Sequence, residues 1–260
     1  MQKRKKLVVG NWKMYPSTLI EAKSVFSKIK RVASRISRVQ TVICPSSVHI
    51  SALASLAAKG KTALGIQDVF WEGEGPFTGQ VSPLQARNAG VRFALVGHSE
   101  RRAQGDDNEK VSKKLDAAIR AGLMAIVCFG EAQRDREGNF YEELKNQLLA
   151  SLGHIRSEAL GKSVVLAYEP VWQIGRADSK GMVPAEVHET SIFIRRIIND
   201  AFGAEAARVV PILYGGSVTF ENARNIVYKG DVDGLLVGRQ SLDVEAFSMI
   251  LKQIELGDVE

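Results

Sequence analysis

The sequence predicts a closed (β/α)8 barrel, a single α/β domain over residues 1–260, on three observations. Short β-branched runs alternate with longer helical patterns from one end of the 260 residues to the other. The strand candidates are almost continuously apolar, as expected for parallel strands covered on both faces. Roughly eight strand–helix units of about 32 residues follow one another without a linker or a shift in composition. A doubly wound open sheet is the alternative that the same alternation allows.

The strand candidates are KLVVG (6–10), QTVIC (40–44), KTALGI (61–66), RFALVG (92–97), LMAIVCF (123–129), SVVLAY (163–168), RVVPILY (208–214) and VDGLLVG (232–238). Between the first two, TLIEAKSVFSKIKRVASRI (18–36) sets Leu19, Ala22, Lys23, Phe26 and Ile29 at a helical period with charges opposite. DNEKVSKKLDAAIRAG (107–122) offers an acidic first turn and a glycine stop, the signature of a helix with defined ends. No repeat or low-complexity segment interrupts the series.

The composition, 45% apolar and 25% charged, is that of an ordinary globular chain with a sizeable core. A formal charge of +6 raises the question of a nucleic-acid partner. The lysines and arginines, however, are scattered along helical stretches, which points to solvated helix faces or to steering of small anions, not to polyanion binding. Residues 1–6, MQKRKK, form a basic leader expected to be loosely ordered. The apolar run behind it is shorter than the roughly seven residues a secretory signal needs. The longest mostly apolar stretch, AGLMAIVCFG, is too short to span a bilayer, so no membrane role is expected. Cys44 and Cys128 each close a strand-like run and read as buried reduced thiols, which fits the cytosol. Neither they nor His49, His98, His154 and His188 stand at metal-ligand spacings.

One connection is too long for a plain turn. Residues 67–82, QDVFWEGEGPFTGQVS, carry Phe70, Trp71 and Phe77 among glycines and acids. Exposed aromatics there suggest a protein interface; a loop packing its own aromatics is the plainer reading.

Working residues in a parallel barrel sit at the carboxyl ends of the strands. After the first strand, Asn11 and Lys13 flank Trp12, so both polar groups point one way. After the fourth, His98 precedes Ser99 and Glu100 at an apparent helix start, where positive partial charge keeps an imidazole neutral. After the sixth comes Glu169, held extended by Pro170 and followed by a glycine-bearing polar segment able to cover it. A covered carboxylate loses water and becomes a stronger base. After the seventh and eighth, YGGSV and VGRQS put glycine where backbone N–H groups can approach a phosphate. Each signal has a duller reading: a surface lysine, a structural histidine, a rim ion pair, a tight turn. Their placement at successive strand ends is what is specific.

GNWKM, GHSERR, AYEPVW, YGGSV and LVG together resemble the triosephosphate isomerase family, in its order and near its spacing, from about Leu7 to Leu251. The resemblance implies interconversion of dihydroxyacetone phosphate and D-glyceraldehyde 3-phosphate, a step of glycolysis and gluconeogenesis, with no metal and no cofactor because the substrate carbonyl is the electron sink. It implies Glu169 as base, His98 as electrophile, Lys13 as fixed positive charge with Asn11 beside it, and Glu100 as the partner of Lys13. Backbone amides of Gly175, Ser217, Gly238 and Arg239 would hold the phosphate. Pro170, Val171, Trp172, Gln173, Ile174, Gly175, Arg176 and Ala177 would form a lid. Thr78 in the 67–82 loop would reach a neighbouring subunit's site in a homodimer, with a tetramer also open.

Several positions depart from the family pattern. Gln173 and the run Arg176, Ala177, Asp178 replace Ala and Thr-Gly-Lys in the lid, and the segment from Trp172 to Pro184 is longer than usual. Arg239 replaces a glycine; where positive φ is required, its Cβ costs roughly 1 kcal/mol, and Arg239→Gly would then lower KM. Alternatively its charge lies near the phosphate. Asp68, Gln80 and Asp107 stand for Asn, Glu and Glu. These departures leave room for two other classes: a non-catalytic barrel that binds phosphate ligands or a protein partner, and a different phosphosugar isomerase or epimerase on the same barrel.

Overall fold

The computed structural model describes residues 4–58, 60–135, 137–153, 155–173 and 181–257. Eight parallel strands close on themselves in sequence order, so the open-sheet alternative is excluded. They are β1 (Lys6–Asn11), β2 (Val39–Cys44), β3 (Ala63–Ile66), β4 (Phe93–Val96), β5 (Met124–Phe129), β6 (Val164–Tyr168), β7 (Ile212–Tyr214) and β8 (Gly234–Val237). The helices, in chain order, are α1 (Leu19–Ala33), α2 (Ile50–Ala57), α3 (Pro83–Asn88), α4 (Ser99–Ala103), α5 (Asn108–Arg120), α6 (Phe140–Leu152), α7 (Pro184–Phe202), α8 (Ala204–Val209), α9 (Ala223–Lys229) and α10 (Val244–Glu255).

Near-continuous apolar strands make two cores, not one. Alternate residues fill the barrel interior: Leu7 and Val9 from β1, Val42 and Cys44 from β2, Phe93 and Leu95 from β4, Ile126 and Cys128 from β5, Val165 and Ala167 from β6. The residues between them, such as Val8, Ile43, Ala94, Val127 and Leu166, join the larger core under the helices. Both cysteines are free and buried in the inner core. Among the described residues, no helix is long and apolar enough to cross a membrane.

The helix ends follow local chemistry. Thr18 caps α1 by accepting from Glu21 N–H, Ser82 caps α3 ahead of Pro83, and Asp107 caps α5 by accepting from Lys110 N–H at 2.8 Å. The buried stripe of α1 is Ala22, Phe26, Ile29 and Ala33; Leu19 and Lys23, expected on it, face solvent because the stripe is narrower than the helical period alone suggests. Arg208 and Val209 end α8 and are not the start of the seventh strand, which begins only after Pro211. Of the basic leader, Met1–Lys3 lie outside the described residues. Arg4 donates to Gly161 O at 3.0 Å, and Lys6 opens β1 with its ammonium 2.7 Å from Val232 O.

The 67–82 loop is pinned to this frame by charge. Lys114, on the inner face of α5 and almost fully buried, reaches both Asp68 oxygens at 2.9 and 2.8 Å and Asp106 at 2.6 Å. Arg101 pairs with Asp68 at 3.0 Å. The carboxylate buried behind α4 is therefore Asp106, while Asp107 is an exposed helix cap. Removing one member of a buried ion cluster leaves the others uncompensated, at a cost of about 3 kcal/mol or more. Lys114→Met is expected to lower the melting temperature by on the order of 10 °C; a shift below about 2 °C in a thermal melt would show that the cluster does not hold the loop.

Candidate active site

The alternation that packs the barrel also aims the site. Continuing the inward series of each strand to its carboxyl end brings Asn11 after Val9, Glu169 after Ala167, Gly215 after Leu213 and Gly238 after Leu236 to the same mouth. There a cavity of about 510 Å³ is lined by Asn11, Lys13, His98, Glu100, Glu169, Ser217, Gly238 and Arg239, together with Tyr15, Gln173, Thr219 and Gln240.

His98 arrives by a different route. Strict alternation from Leu95 would turn it outward. Gly97 adopts φ +72°, a left-handed backbone that resets the direction. His98 is then the N-cap of α4, its Nδ1 accepting the backbone N–H of Glu100 at 3.2 Å. A nitrogen that accepts must carry its lone pair, so the ring proton sits on Nε2, 3.1 Å from Glu169 Oε1. This tautomer presents a donor to the cavity.

Glu169 is buried, its backbone N–H bound to Phe129 O at 2.8 Å. Its second oxygen accepts from Ser99 N–H at 2.9 Å. A Cβ on Gly215 would lie 3.0 Å from Glu169 Cγ, so the bare glycine leaves the carboxylate room to turn.

Lys13 has φ +54°, a left-handed conformation that costs a non-glycine residue roughly 1–2 kcal/mol. Its neighbours hold it there. Asn11 Oδ1 accepts from its N–H at 3.0 Å and Gln67 Nε2 donates to its carbonyl at 2.7 Å. The ammonium bonds Glu100 Oε1 at 2.6 Å. Trp12 between them is fully buried, with its indole N–H on Ser241 O at 3.1 Å.

At the other end of the cavity Gly238 has φ −84° and leads into a 3-10 turn over Arg239–Ser241. Among the described residues only Lys13 and Asp231 combine a side chain with positive φ. Arg239 is thus unstrained, and the expectation that its Cβ penalises the site is corrected. Among the described residues the Arg239 guanidinium has no hydrogen bond or ion pair, unlike the Lys13 ammonium.

Comparison with known proteins agrees with this geometry. A profile of the family described as triosephosphate isomerase matches residues 6–254. The chain is 36% identical over 252 residues to the triosephosphate isomerase of Dehalococcoides mccartyi, covering 96% of this chain and 97% of that one. It is 38% identical to those of Trichlorobacter lovleyi and Citrifermentans bemidjiense, over 96% and 97% of this chain and 98% and 100% of theirs. The chain belongs to the triosephosphate isomerase family.

Val171–Gln173 form a 3-10 turn, closed by Gln173 N–H on Pro170 O at 2.9 Å. Ile174, Gly175, Arg176, Ala177 and Asp178 lie outside the described residues. What anchors the near end was missed in the sequence. Glu131, fully buried, accepts at one oxygen from the Trp172 indole at 2.9 Å, the Tyr168 hydroxyl at 2.8 Å and Arg134 at 2.8 Å. The Arg134 guanidinium in turn lies 5.6 Å from the Trp172 ring centre. Glu131 stands at the carboxyl end of β5, a position that the strand-end rule could have flagged. Tyr214 OH ties the two sides together, donating to Gln173 Oε1 at 3.4 Å and accepting from Met182 N–H at 3.2 Å.

The 67–82 loop is a mixture of the two expectations. Phe70 is buried, its ring centre 4.0 Å from Trp71 and 4.7 Å from Phe77. The loop therefore packs its own aromatics, and only Phe77 among them is substantially exposed. Thr78 is exposed and makes no hydrogen bond among the described residues.

Proposed function

We propose that this protein interconverts dihydroxyacetone phosphate and D-glyceraldehyde 3-phosphate, with Glu169 moving the proton between the two carbons. The observation that carries the reading is the 3.1 Å contact of Glu169 with a proton-bearing His98 Nε2 inside one cavity. The carboxylate cannot keep its bonds to Ser99 and His98 and also reach a substrate carbon. Substrate binding must draw it away, over the space beside Gly215. The C–H proton then passes to Glu169 and returns to the adjacent carbon, while His98 Nε2–H bonds the carbonyl oxygen and relays the hydroxyl proton. Lys13 sets fixed positive charge against the developing enediolate, with Asn11 alongside. The phosphate is held by backbone amides of Gly175, Ser217, Gly238 and Arg239. The lid excludes water and suppresses loss of phosphate from the intermediate, a device for which triosephosphate isomerase is itself a standard example.

In the turnover assay, Glu169→Gln keeps the shape but removes the base, and is expected to lower kcat by about 100-fold or more. A wild type no faster than this variant would support a non-catalytic phosphate-binding barrel instead.

Glu100 already neutralises Lys13, so Arg239 supplies the uncompensated cation for a phosphate dianion. Arg239→Gly is expected to raise KM roughly three- to tenfold, about 1 kcal/mol, with the effect shrinking as salt rises. An unchanged or lowered KM would remove the guanidinium from the site.

The working form is a cytosolic homodimer, in keeping with the buried reduced thiols and with the exposed apolar side chains at the β1, β2 and β3 ends. Met14, Tyr15, Ile20, Val48, Phe77 and Leu84 are among these. Exposed apolar groups of this kind are what a partner covers, with Thr78 on the entering loop. Light scattering at micromolar concentration is expected to give twice the mass of 28.4 kDa; the monomer mass would count against it.

A further inference from the structure

Arg102 lies on α4 but serves two strands. Its Nε donates to Gly97 O at 2.8 Å, and its Nη2 to Cys128 O at 3.1 Å. The far side of the guanidinium is fixed by Asn108 Oδ1 at 2.7 Å, at the start of α5, and by Ser151 Oγ at 2.9 Å, on α6. The β4–β5 ladder stops at Val96 and Val127. Gly97 and Cys128 are each the next residue, so the planar fork adds one rung where the strands themselves have stopped pairing.

That rung stands directly under the proton-transfer pair. The Gly97 carbonyl belongs to the peptide that carries the N–H of His98. The backbone N–H of Arg102 bonds the carbonyl of His98 itself at 3.0 Å. On the other strand, the residue after Cys128 is Phe129, whose carbonyl accepts the N–H of Glu169. One guanidinium thus sits one peptide away from the imidazole and two away from the anchor of the carboxylate. The close approach depends on Gly97. A Cβ there would fall 2.8 Å from Val111 and 3.1 Å from Arg102 Nη2. Burial pulls the Arg102 guanidinium below the usual arginine pKa, yet arginine stays charged in proteins, so the donors are permanent.

We propose that Arg102 is a positioning residue for proton transfer, setting the spacing of His98 and Glu169 by welding the ends of β4 and β5. The proposal rests on the isomerase reading above. Near-attack geometry is steep: a displacement of about 1 Å can cost on the order of 100-fold in rate. A group that only glues the fold would change melting temperature and leave kcat alone. A group that sets spacing changes kcat with little effect on KM, since phosphate binding lies across the cavity.

The test uses the full-length chain, with parent, Arg102→Lys and Ser151→Ala assayed for kcat and KM on D-glyceraldehyde 3-phosphate and followed in thermal melts. Lysine keeps the charge but cannot bridge both carbonyls, so kcat is expected to fall about 10- to 100-fold with KM within about threefold. Ser151→Ala, which frees one corner of the fork at a distance from the cavity, is expected to lower kcat about two- to fivefold. Parental kcat in a folded Arg102→Lys protein, or a loss expressed wholly in KM, would overturn the proposal. Should Arg102→Lys not fold, parental kcat in Ser151→Ala would do the same. An inactive parent would instead remove the isomerase reading, and this proposal with it.

Discussion

The hydrogen bond from Glu100 N–H into His98 Nδ1 is the interaction on which the site depends. It exists because α4 begins at the residue after the histidine, leaving an unpaired backbone donor at the helix start. That donor needs an acceptor, and the imidazole supplies one at the cost of keeping Nδ1 free of a proton. The ring must then offer Nε2–H to whatever lies in the cavity. Had the helix begun one residue later, the donor would point elsewhere and neither ring nitrogen would have a fixed role. A short helical turn thus sets the chemistry of a side chain through a single backbone contact.

The barrel makes that contact useful. Closure of eight parallel strands fixes which residues face inward, and the same alternation that fills the interior with Val9, Ala167, Leu213 and Leu236 delivers Asn11, Glu169, Gly215 and Gly238 to one rim. Two residues break the regularity, and both are in the cavity wall or next to it. Gly97 turns the chain so that His98 faces the rim, and Lys13 takes a left-handed backbone that Asn11 and Gln67 hold in place. Strain that persists beside a functional group needs such over-determined surroundings. The rest of the frame serves the same end: Glu131 and Arg134 brace the turn after Glu169, and Lys114 seats the long loop against α5.

How far the sequence could be read follows from what each signal reports. Unbroken apolar runs report burial on both faces, and from them the strands and the closed barrel were legible. They do not report where a helix ends and a strand begins, so RVVPILY reads as strand from its start although Arg208 and Val209 close α8. A single period overstated the buried stripe of α1 by including Lys23. The family pattern matches Asp107 to a glutamate, yet it is Asp106 that lies buried against Lys114; two adjacent aspartates cannot be told apart until the helix start is known. The strand-end rule points to Asn11, His98 and Glu169 because each stands at or just past the carboxyl end of a strand, although His98 also needs the turn at Gly97 to face the rim. It covers the place of Glu131, two residues past β5, but says nothing of Arg102, which lies inside α4 and acts through a side chain that reaches the ends of two strands. Arg239 raised a question of backbone strain that only a dihedral could answer.

The most direct measurement is nitrogen-15 NMR of the imidazole of His98, selectively labelled in the resting protein near neutral pH. The arrangement predicts an unprotonated Nδ1 and a proton on Nε2. Signals showing a proton on Nδ1, alone or together with Nε2, would contradict it, because the backbone of Glu100 would then have no acceptor and the cavity no fixed donor.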